Sequence, residues 1–242
     1  MDLQSFLLLS AAVFTGGFVA GLAGFAFSAV AGGILLHVFL PLEAVPLMMA
    51  CSVAVQAANL LALRKTLQWK DSLILIAGGL LGVPIAVYLL QNADTGTFRA
   101  GFGILVAVYA GYTLFQPSFV QFRQMKNRGR NVLIGFGGGL IGGLTAMPGA
   151  LPTIWCDMHG MPKTQQRSLV QPFIATTQVF ALILMLSRNG LSSKIAIDLA
   201  VGLPALAAGT ALGILTFRRV NEATFRRAIL IILLFSGLSL LV

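Results

Sequence analysis

The sequence predicts an all-α integral membrane protein, and three of its features lead to that fold class. Hydrophobic residues make up 57% of the 242 residues and charged residues only 10%, whereas a soluble domain is about 45–50% apolar and about 25% charged. Long stretches carry no charged side chain, and glycine, which is frequent in membrane helices, occurs 27 times. So few charges could not cover a soluble surface, which excludes a soluble enzyme, a secreted domain and a disordered chain.

The charge-free stretches predict the transmembrane helices in order. Asp, Glu, Lys and Arg are absent from the ranges 3–42, 44–63, 72–93, 100–122, 131–156, 168–187, 199–217 and 228–242. A helix needs about 20 apolar residues to cross a bilayer. Every range except 3–42 and 131–156 therefore predicts a single span, and the last span begins near Thr224.

The two exceptional stretches predict broken helices. A continuous helix over 3–42 would be about 60 Å long, twice the roughly 30 Å thickness of the hydrocarbon layer, and glycines accumulate between residues 21 and 33. The stretch 131–156 contains Pro148 and Pro152, which an undisturbed helix does not accommodate. We expect each stretch to break near the middle of the membrane and to form a re-entrant hairpin of two half-helices.

The chain also repeats itself. The segment Gly17–Gly21 aligns with Gly139–Gly143 at an offset of 122 residues, and Thr97–Arg99 aligns with Thr224–Arg226 at an offset of 127. Each copy reads as a broken hairpin followed by three transmembrane helices. The predicted organisation is a first repeat at 1–122, a basic linker at 123–131 and a second repeat at 132–242, which together form one domain.

The distribution of Lys and Arg predicts the topology. If every stretch crossed the membrane once, 9 basic residues would lie on one side and 7 on the other. If the stretch 131–156 instead returns to the side from which it entered, 13 basic residues lie on one side and 3 on the other. Those three are Arg99, Arg188 and Lys194. Cytoplasmic loops carry an excess of basic residues, which favours the hairpin. We therefore expect the linker to be cytoplasmic and both termini to be non-cytoplasmic. The expected location is the cell membrane, as a multi-pass protein of a bacterial inner membrane. Each repeat then crosses an odd number of times, so the two repeats are inverted.

At this point the residues resemble a known family. The glycine-rich openings Gly17–Gly33 and Gly139–Gly149, with the pairs Phe98-Arg99 and Phe225-Arg226, look like the sulfite exporter family TauE/SafE over nearly the whole chain. The resemblance implies a transporter, not an enzyme, for sulfite, organosulfonates or related sulfur-containing anions. Inverted repeats with broken helices are common in secondary transporters, where the site lies near the midplane between the repeats. We accordingly expect alternating access, with the site between the two broken hairpins.

A compact anion requires hydrogen-bond donors, and the free N–H groups and partial positive charge of helix N-termini provide them. Irregular backbone at membrane depth lines a cavity or is buried in protein. The first substrate-binding candidates therefore lie at the breaks: Phe25, Ser28, Thr145, Met147, Pro148 and Gly149. For the glycines at 17, 21, 139 and 143, the alternative is close helix packing.

Neutral polar side chains within the spans are further candidates. The stretch 44–63 contributes Ser52, Gln56 and Asn59, and the equivalent stretch 168–187 contributes Gln171, Thr177 and Gln178. Gln56 and Asn59 share a helix face, as do Gln171 and Gln178. The alternative role is hydrogen bonding between helices, worth about 0.6–2 kcal/mol each.

Ionisable residues are absent from the middle of the predicted spans, which argues against a carboxylate relay. His37 and His159 occupy repeat-equivalent positions and are candidates for proton coupling; the alternative is a polar residue at each hairpin base. No metal site or cofactor is expected, since the two cysteines are too few ligands. The basic excess is explained by topology and not by nucleic acid. The expected partners are a small anionic substrate, a coupling ion and the lipid bilayer.

Other functions remain as alternatives. A transporter or channel for other small organic anions would have the same architecture. A non-transporting receptor or scaffold is a further alternative, although it would gain nothing from broken helices. ATP hydrolysis by this chain is not expected, because the phosphate-binding pattern G-x-x-x-x-G-K-[ST] is absent from the sequence.

Overall fold

The computed structural model describes residues 3–23, 26–64, 67–115, 128–189, 193–217 and 222–240, and these ranges contain helices and no strand. The predicted all-α fold class is confirmed. The helices within the described ranges are α1 (Leu3–Ala23), α2 (Phe27–Val38), α3 (Pro41–Leu63), α4 (Trp69–Asn92), α5 (Thr95–Phe115), α6 (Arg128–Thr145), α7 (Ala150–Met158), α8 (Lys163–Asn189), α9 (Ser193–Phe217) and α10 (Glu222–Ser239).

Among the described residues, six helices are long and apolar enough to cross a membrane. They contain the segments Gln4–Gly21, Pro41–Leu61, Trp69–Asn92, Thr95–Phe115, Gln165–Ser187 and Lys194–Thr216. Five of these correspond to predicted single spans, and the other is α1. The predicted last span corresponds to α10, which has 18 residues. The protein is therefore a multi-pass membrane protein.

Both stretches that were predicted to break do so, but their halves are unequal. The first stretch consists of α1 with 21 residues and α2 with 12, and the second of α6 with 18 and α7 with 9. At 1.5 Å per residue, α1 is about 32 Å long and α2 about 18 Å. Each hairpin thus pairs a long helix with a short one instead of two half-helices. α6 also begins within the predicted linker, whose residues 123–127 lie outside the described ranges.

The backbone turns sharply at the two breaks. Ala26, just before α2, has φ 75°, and Ala146, just after α6, has φ 58°. These left-handed conformations are uncommon for a residue with a Cβ. Pro152 is accommodated in the first turn of α7, where a missing N–H costs no helical hydrogen bond.

Packing divides the chain into two compact units. Unit 1 comprises residues 1–55, 93–116 and 191–242, and unit 2 comprises residues 56–92 and 117–190. Each unit combines helices from both halves of the sequence, since α1 packs against α9 in unit 1 and α6 packs against α4 in unit 2.

In unit 2, α4 and α6 are parallel neighbours. A side chain added at Gly135 would meet the Leu75 backbone, and one added at Gly143 would meet Ala86 and Val83. Residue numbers therefore rise together along the two helices.

α8 runs in the same direction as α4. The Gln68 N–H, just before α4, donates to Ser168 O near the start of α8 at 3.0 Å. Further along, Thr177 borders Gly79. Because α6 and α8 are both parallel to α4, they begin at the same end of unit 2.

The short helix α7 runs back between the other two. Gln166, near the start of α8, donates through Nε2 to Thr153 O in α7 at 2.8 Å. Gln178, three turns further along α8, donates to Ala146 O at the break. α7 is therefore antiparallel to α8, and the pair α6–α7 enters and leaves unit 2 at one end.

Unit 1 has the corresponding arrangement. Gly202 of α9 lies beside Val13 of α1, and Thr210 lies beside Gly21, so α1 and α9 are parallel. At the start of α9, Lys194 Nζ lies 2.7 Å from Glu43 Oε2 at the start of α3, so these helices begin together.

The short helix of unit 1 also folds back onto the long one before it. A Cβ at Gly16 of α1 would meet Ala31 and the Phe27 ring of α2. α10 lies beside α2, where Ser236 leaves no room for a Cβ at Gly33.

The helix contacts of the two units share the offsets of the sequence repeat. Gly17 faces the Leu206 carbonyl, and Gly139 faces the Gly79 carbonyl. The offset is 122 residues between α1 and α6 (17 and 139) and 127 between α4 and α9 (79 and 206). Three further contacts follow the same offsets: Val13–Gly202 with Gly135–Leu75, Phe14–Gly209 with Phe136–Gly82, and Gly21–Thr210 with Gly143–Val83. The four glycines of the sequence repeat thus lie at helix contacts, as the packing alternative predicted.

The motif at the start of α5 has a local structural role. The Thr97 N–H donates to Asp94 Oδ1 at 2.8 Å, which caps the helix. Hydrogen bonds from Thr97 hold the pKa of the exposed Asp94 carboxyl below its usual range.

We expect Gly139→Ala to lower the stability of the protein, whereas Gly111→Ala should not. The new Cβ at 139 would overlap the Gly79 backbone, which cannot rotate away, and overpacking of this kind costs about 1–3 kcal/mol. A Cβ at Gly111 meets nothing within 4 Å, and alanine is favoured over glycine in a helix by about 0.5–1 kcal/mol. Thermal unfolding of both variants in detergent measures the difference; equal midpoints would contradict the proposed helix contact.

Candidate functional site

At the first break, one buried side-chain hydroxyl has no hydrogen-bond partner. Ser28 is the second residue of α2, its side chain is 2% exposed, and its Oγ has no hydrogen-bond partner. The N–H groups of a first helical turn lack acceptors within the helix, and α2 has no side-chain cap. Phe25, the other candidate at this break, lies outside the described residues.

A second buried hydroxyl lies beside the end of α1. Thr210 of α9 borders Gly17 and Gly21, and its Oγ1 is buried with no hydrogen-bond partner. The residue of α4 that corresponds by the 127-residue offset is Val83. Thr210 was not predicted as a site residue, because in the sequence it is only one hydroxyl within a largely apolar span.

At the second break, the protein itself satisfies the backbone. The Ala146 N–H donates to Gly142 O at 2.8 Å, and the Ala150 N–H donates to Met147 O at 3.2 Å. Pro152, in the first turn of α7, has no N–H to donate. The first turn of α7 therefore offers fewer N–H donors than a first helical turn usually does.

Gln178 completes the hydrogen bonding of the second break. Its side chain is 2% exposed, and its Nε2 donates to the Ala146 carbonyl at 2.9 Å. That carbonyl belongs to the left-handed residue, outside the regular helical pattern. The structure thus brings one predicted site residue of α8 to the predicted break.

The other predicted residues of the second break are packed against protein. Thr145 donates through Oγ1 to Ile141 O at 2.7 Å within α6. Met147 and Pro148 are buried, and a Cβ at Gly149 would meet Ile174 of α8.

The polar candidates within the spans are largely engaged locally. Asn59 Nδ2 donates to Gln56 Oε1 at 3.2 Å, one turn apart on α3. Thr177 donates through Oγ1 to Phe173 O at 2.6 Å within α8. Ser52 and Gln171 are also buried.

The two histidines lie at the ends of the short helices. His37 is in the last turn of α2, with Nε2 3.4 Å from Ser239 Oγ. His159 caps the end of α7, and its Nδ1 lies 2.8 Å from Trp155 O. Because a carbonyl can only accept, this Nδ1 carries the proton. Trp155 in turn donates through Nε1 to Asn131 at the start of α6.

A buried carboxylate lies within a span, although the charge-free stretches predicted none there. Asp198 was placed just outside the charge-free range 199–217, but α9 begins at Ser193 and the side chain of Asp198 is 4% exposed. Its carboxyl lies within electrostatic range of Lys194 and Glu43. Among the described residues, no group of three or more His, Cys, Asp and Glu side chains could hold a metal ion.

Two broken helical segments and several long apolar helices define a class of polytopic membrane transporters. A sequence profile of the sulfite exporter TauE/SafE family matches residues 8–240. The chain therefore belongs to this family of membrane transporters, as the resemblance predicted. No curated protein and no solved structure matches the chain.

We expect Gln178→Met to destabilise the protein, because it removes the donor to the Ala146 carbonyl without changing the side-chain length. An unsatisfied buried carbonyl costs about 1–3 kcal/mol. Gln165→Met makes the same change at an exposed position of α8 and should have little effect. Thermal unfolding compares the two, and a Gln178→Met midpoint equal to that of Gln165→Met would exclude a supporting role for this hydrogen bond.

Proposed function

We propose that this protein is a secondary-active transporter of small anions, in particular sulfite, organosulfonates and related sulfur-containing anions, and that it works by alternating access. Family membership supports transport as the activity. The observation that supports a substrate site and alternating access is that α7 runs back between α6 and α8. This return places the break between α6 and α7 away from the end of unit 2 at which these two helices enter and leave.

The physical argument concerns the backbone at the breaks. Lipid offers no hydrogen bonds, so irregular backbone at membrane depth occurs only where protein or a water-filled cavity surrounds it. Helix ends exposed in this way bind ions and substrates in transporters. On this proposal the substrate contacts come from groups at a break in the helical backbone, and polar side chains of neighbouring helices support that break.

Inverted repeats are part of the proposal. In unit 1, α1 and α3 begin at the same end, so the pair α1–α2 returns to the side from which it entered. If α3, α4 and α5 each cross once, then α6 enters from the side opposite to α1. The recurrence of the glycine contacts at fixed offsets supports a duplicated architecture.

We expect purified protein in liposomes to take up labelled sulfite or taurine in a saturable way without ATP, provided that an ion gradient is maintained. Saturation follows from a binding site that alternates between the two sides, and a gradient supplies the free energy. Protein-free liposomes and the Gln165→Met variant are the controls. Uptake that rises linearly with concentration would indicate a channel, and no uptake of any sulfur-containing or carboxylate anion would favour a receptor or scaffold.

We propose a cytoplasmic location for the linker 123–131, with both termini outside, in a bacterial inner membrane. A cysteine in place of Gln124 should then resist an impermeant thiol reagent added to intact cells, whereas a cysteine in place of Ala93 should react. Cys51 and Cys156 are buried, so the native thiols should not react with the reagent. Labelling at position 124 but not at 93 would reverse the orientation.

A further inference from the structure

The first break has the features of an oxyanion site, and the second does not. At the second break, the Ala146 carbonyl accepts a hydrogen bond from Gln178, and the Ala150 N–H donates one to Met147 O. At the first break, Ser28 Oγ is buried and unpaired. A buried hydroxyl without a partner is costly, so a polar ligand is the group that would compensate for it.

The hydroxyl lies at the same terminus of α2 as the N–H groups of the first helical turn, which have no acceptor within the helix. Each Cα–Cβ bond in a helix tilts toward the helix N-terminus, so the side chain of Ser28 leans toward the first-turn N–H groups. These groups carry the positive end of the helix dipole. Thr210 adds a second unpaired buried hydroxyl along the last turns of α1.

The helices that form this break carry no lysine or arginine, and the charge preference is inferred from this. Arg99 of α5, in the same unit, has a buried Nε without a hydrogen-bond partner and is tested below. Residues 3–42 contain no Asp, Glu, Lys or Arg. On α9, Asp198 and Lys194 lie at the far end, since the 12 residues from Asp198 to Thr210 span about 18 Å. A site built from dipoles offers about half a unit of positive charge, while the cost of removing an ion from water grows with the square of its charge. Such a site favours a monoanion over a dianion.

We propose that Ser28 Oγ and the first-turn N–H groups of α2 bind the oxygen atoms of a singly charged oxyanion, of which an alkanesulfonate is the simplest example. This inference rests on the proposed function, and it names the charge class and the anchoring residues of the substrate. The second break, in contrast, is a structural element held by Gln178.

The experiment measures ligand-induced thermal stabilisation in detergent with methanesulfonate and with sulfate at matched ionic strength. Both probes present sulfur-bound oxygens, but they differ in charge. Wild-type protein should be stabilised by methanesulfonate at lower concentrations than by sulfate. No stabilisation by either probe, or by sulfite and taurine, would overturn the proposed function together with this site. Stronger binding of sulfate would overturn the charge preference alone.

The variant Ser28→Ala separates a ligand role from a structural one. Without ligand, its unfolding midpoint should equal or exceed that of wild type, because an unpaired buried hydroxyl has been removed. Its Kd for methanesulfonate should rise about ten- to a hundred-fold, as expected for one lost hydrogen bond to a charged group. Ser28→Thr, which keeps the hydroxyl, should retain part of the affinity. A Ser28→Ala Kd equal to that of wild type would refute the site while leaving the proposed function intact.

Thr113→Val is the matched control in the same unit. Thr113 is buried, and its Oγ1 donates to Tyr109 O at 2.8 Å within α5. This variant should lower the unfolding midpoint and leave the methanesulfonate Kd unchanged. Arg99→Gln tests the source of the positive charge: its Kd should also be unchanged, and loss of binding would show that a guanidinium, not the helix terminus, binds the anion.

Discussion

A chain that leaves the helical pattern inside a membrane must find new partners for its backbone, and this requirement governs the two broken segments. Each unsatisfied group in lipid costs several kcal/mol. At the second break, Gln178 donates a hydrogen bond to the Ala146 carbonyl, which lies outside the helical pattern. The prolines there have no N–H group, so they add no backbone donor that would need an acceptor. The surrounding helices are placed so that these partners reach the break.

Close helix packing holds these partners in position. Lipid supplies no hydrophobic force between helices, so small residues that let backbones approach are the means of association. Gly79 and Gly139 bring α4 against α6, while Gly17 and Gly21 bring α1 against α9. In both units the helix that supports the long arm of the hairpin comes from the other half of the sequence. The long helix of each hairpin therefore packs against a helix from the other half of the chain.

The positions of the spans and of the breaks could be predicted from the sequence, because they depend on the length of apolar stretches and on the placement of charges. Charge-free stretches located the spans, and the 40-residue length of 3–42 together with Pro148 located the breaks. Spacing cannot show which polar atoms meet, and the site was accordingly less predictable. Gln178 and Ala146 are 32 residues apart and meet only because α8 runs antiparallel to α7. Asp198 was misplaced because a charged residue was taken as the boundary of a span, whereas α9 begins five residues earlier.

The two breaks share an architecture but not a chemistry. Ser28 corresponds by the 122-residue offset to Ala150, and Thr210 corresponds by the 127-residue offset to Val83, so both unpaired hydroxyls of unit 1 have apolar counterparts. The glycine contacts, in contrast, occur in both units. Packing is needed wherever a broken helix must be held, and both copies retain it. In unit 2 the break is closed by the Gln178 hydrogen bond and by two prolines, whereas the stretch that breaks in unit 1 contains no proline before Pro41.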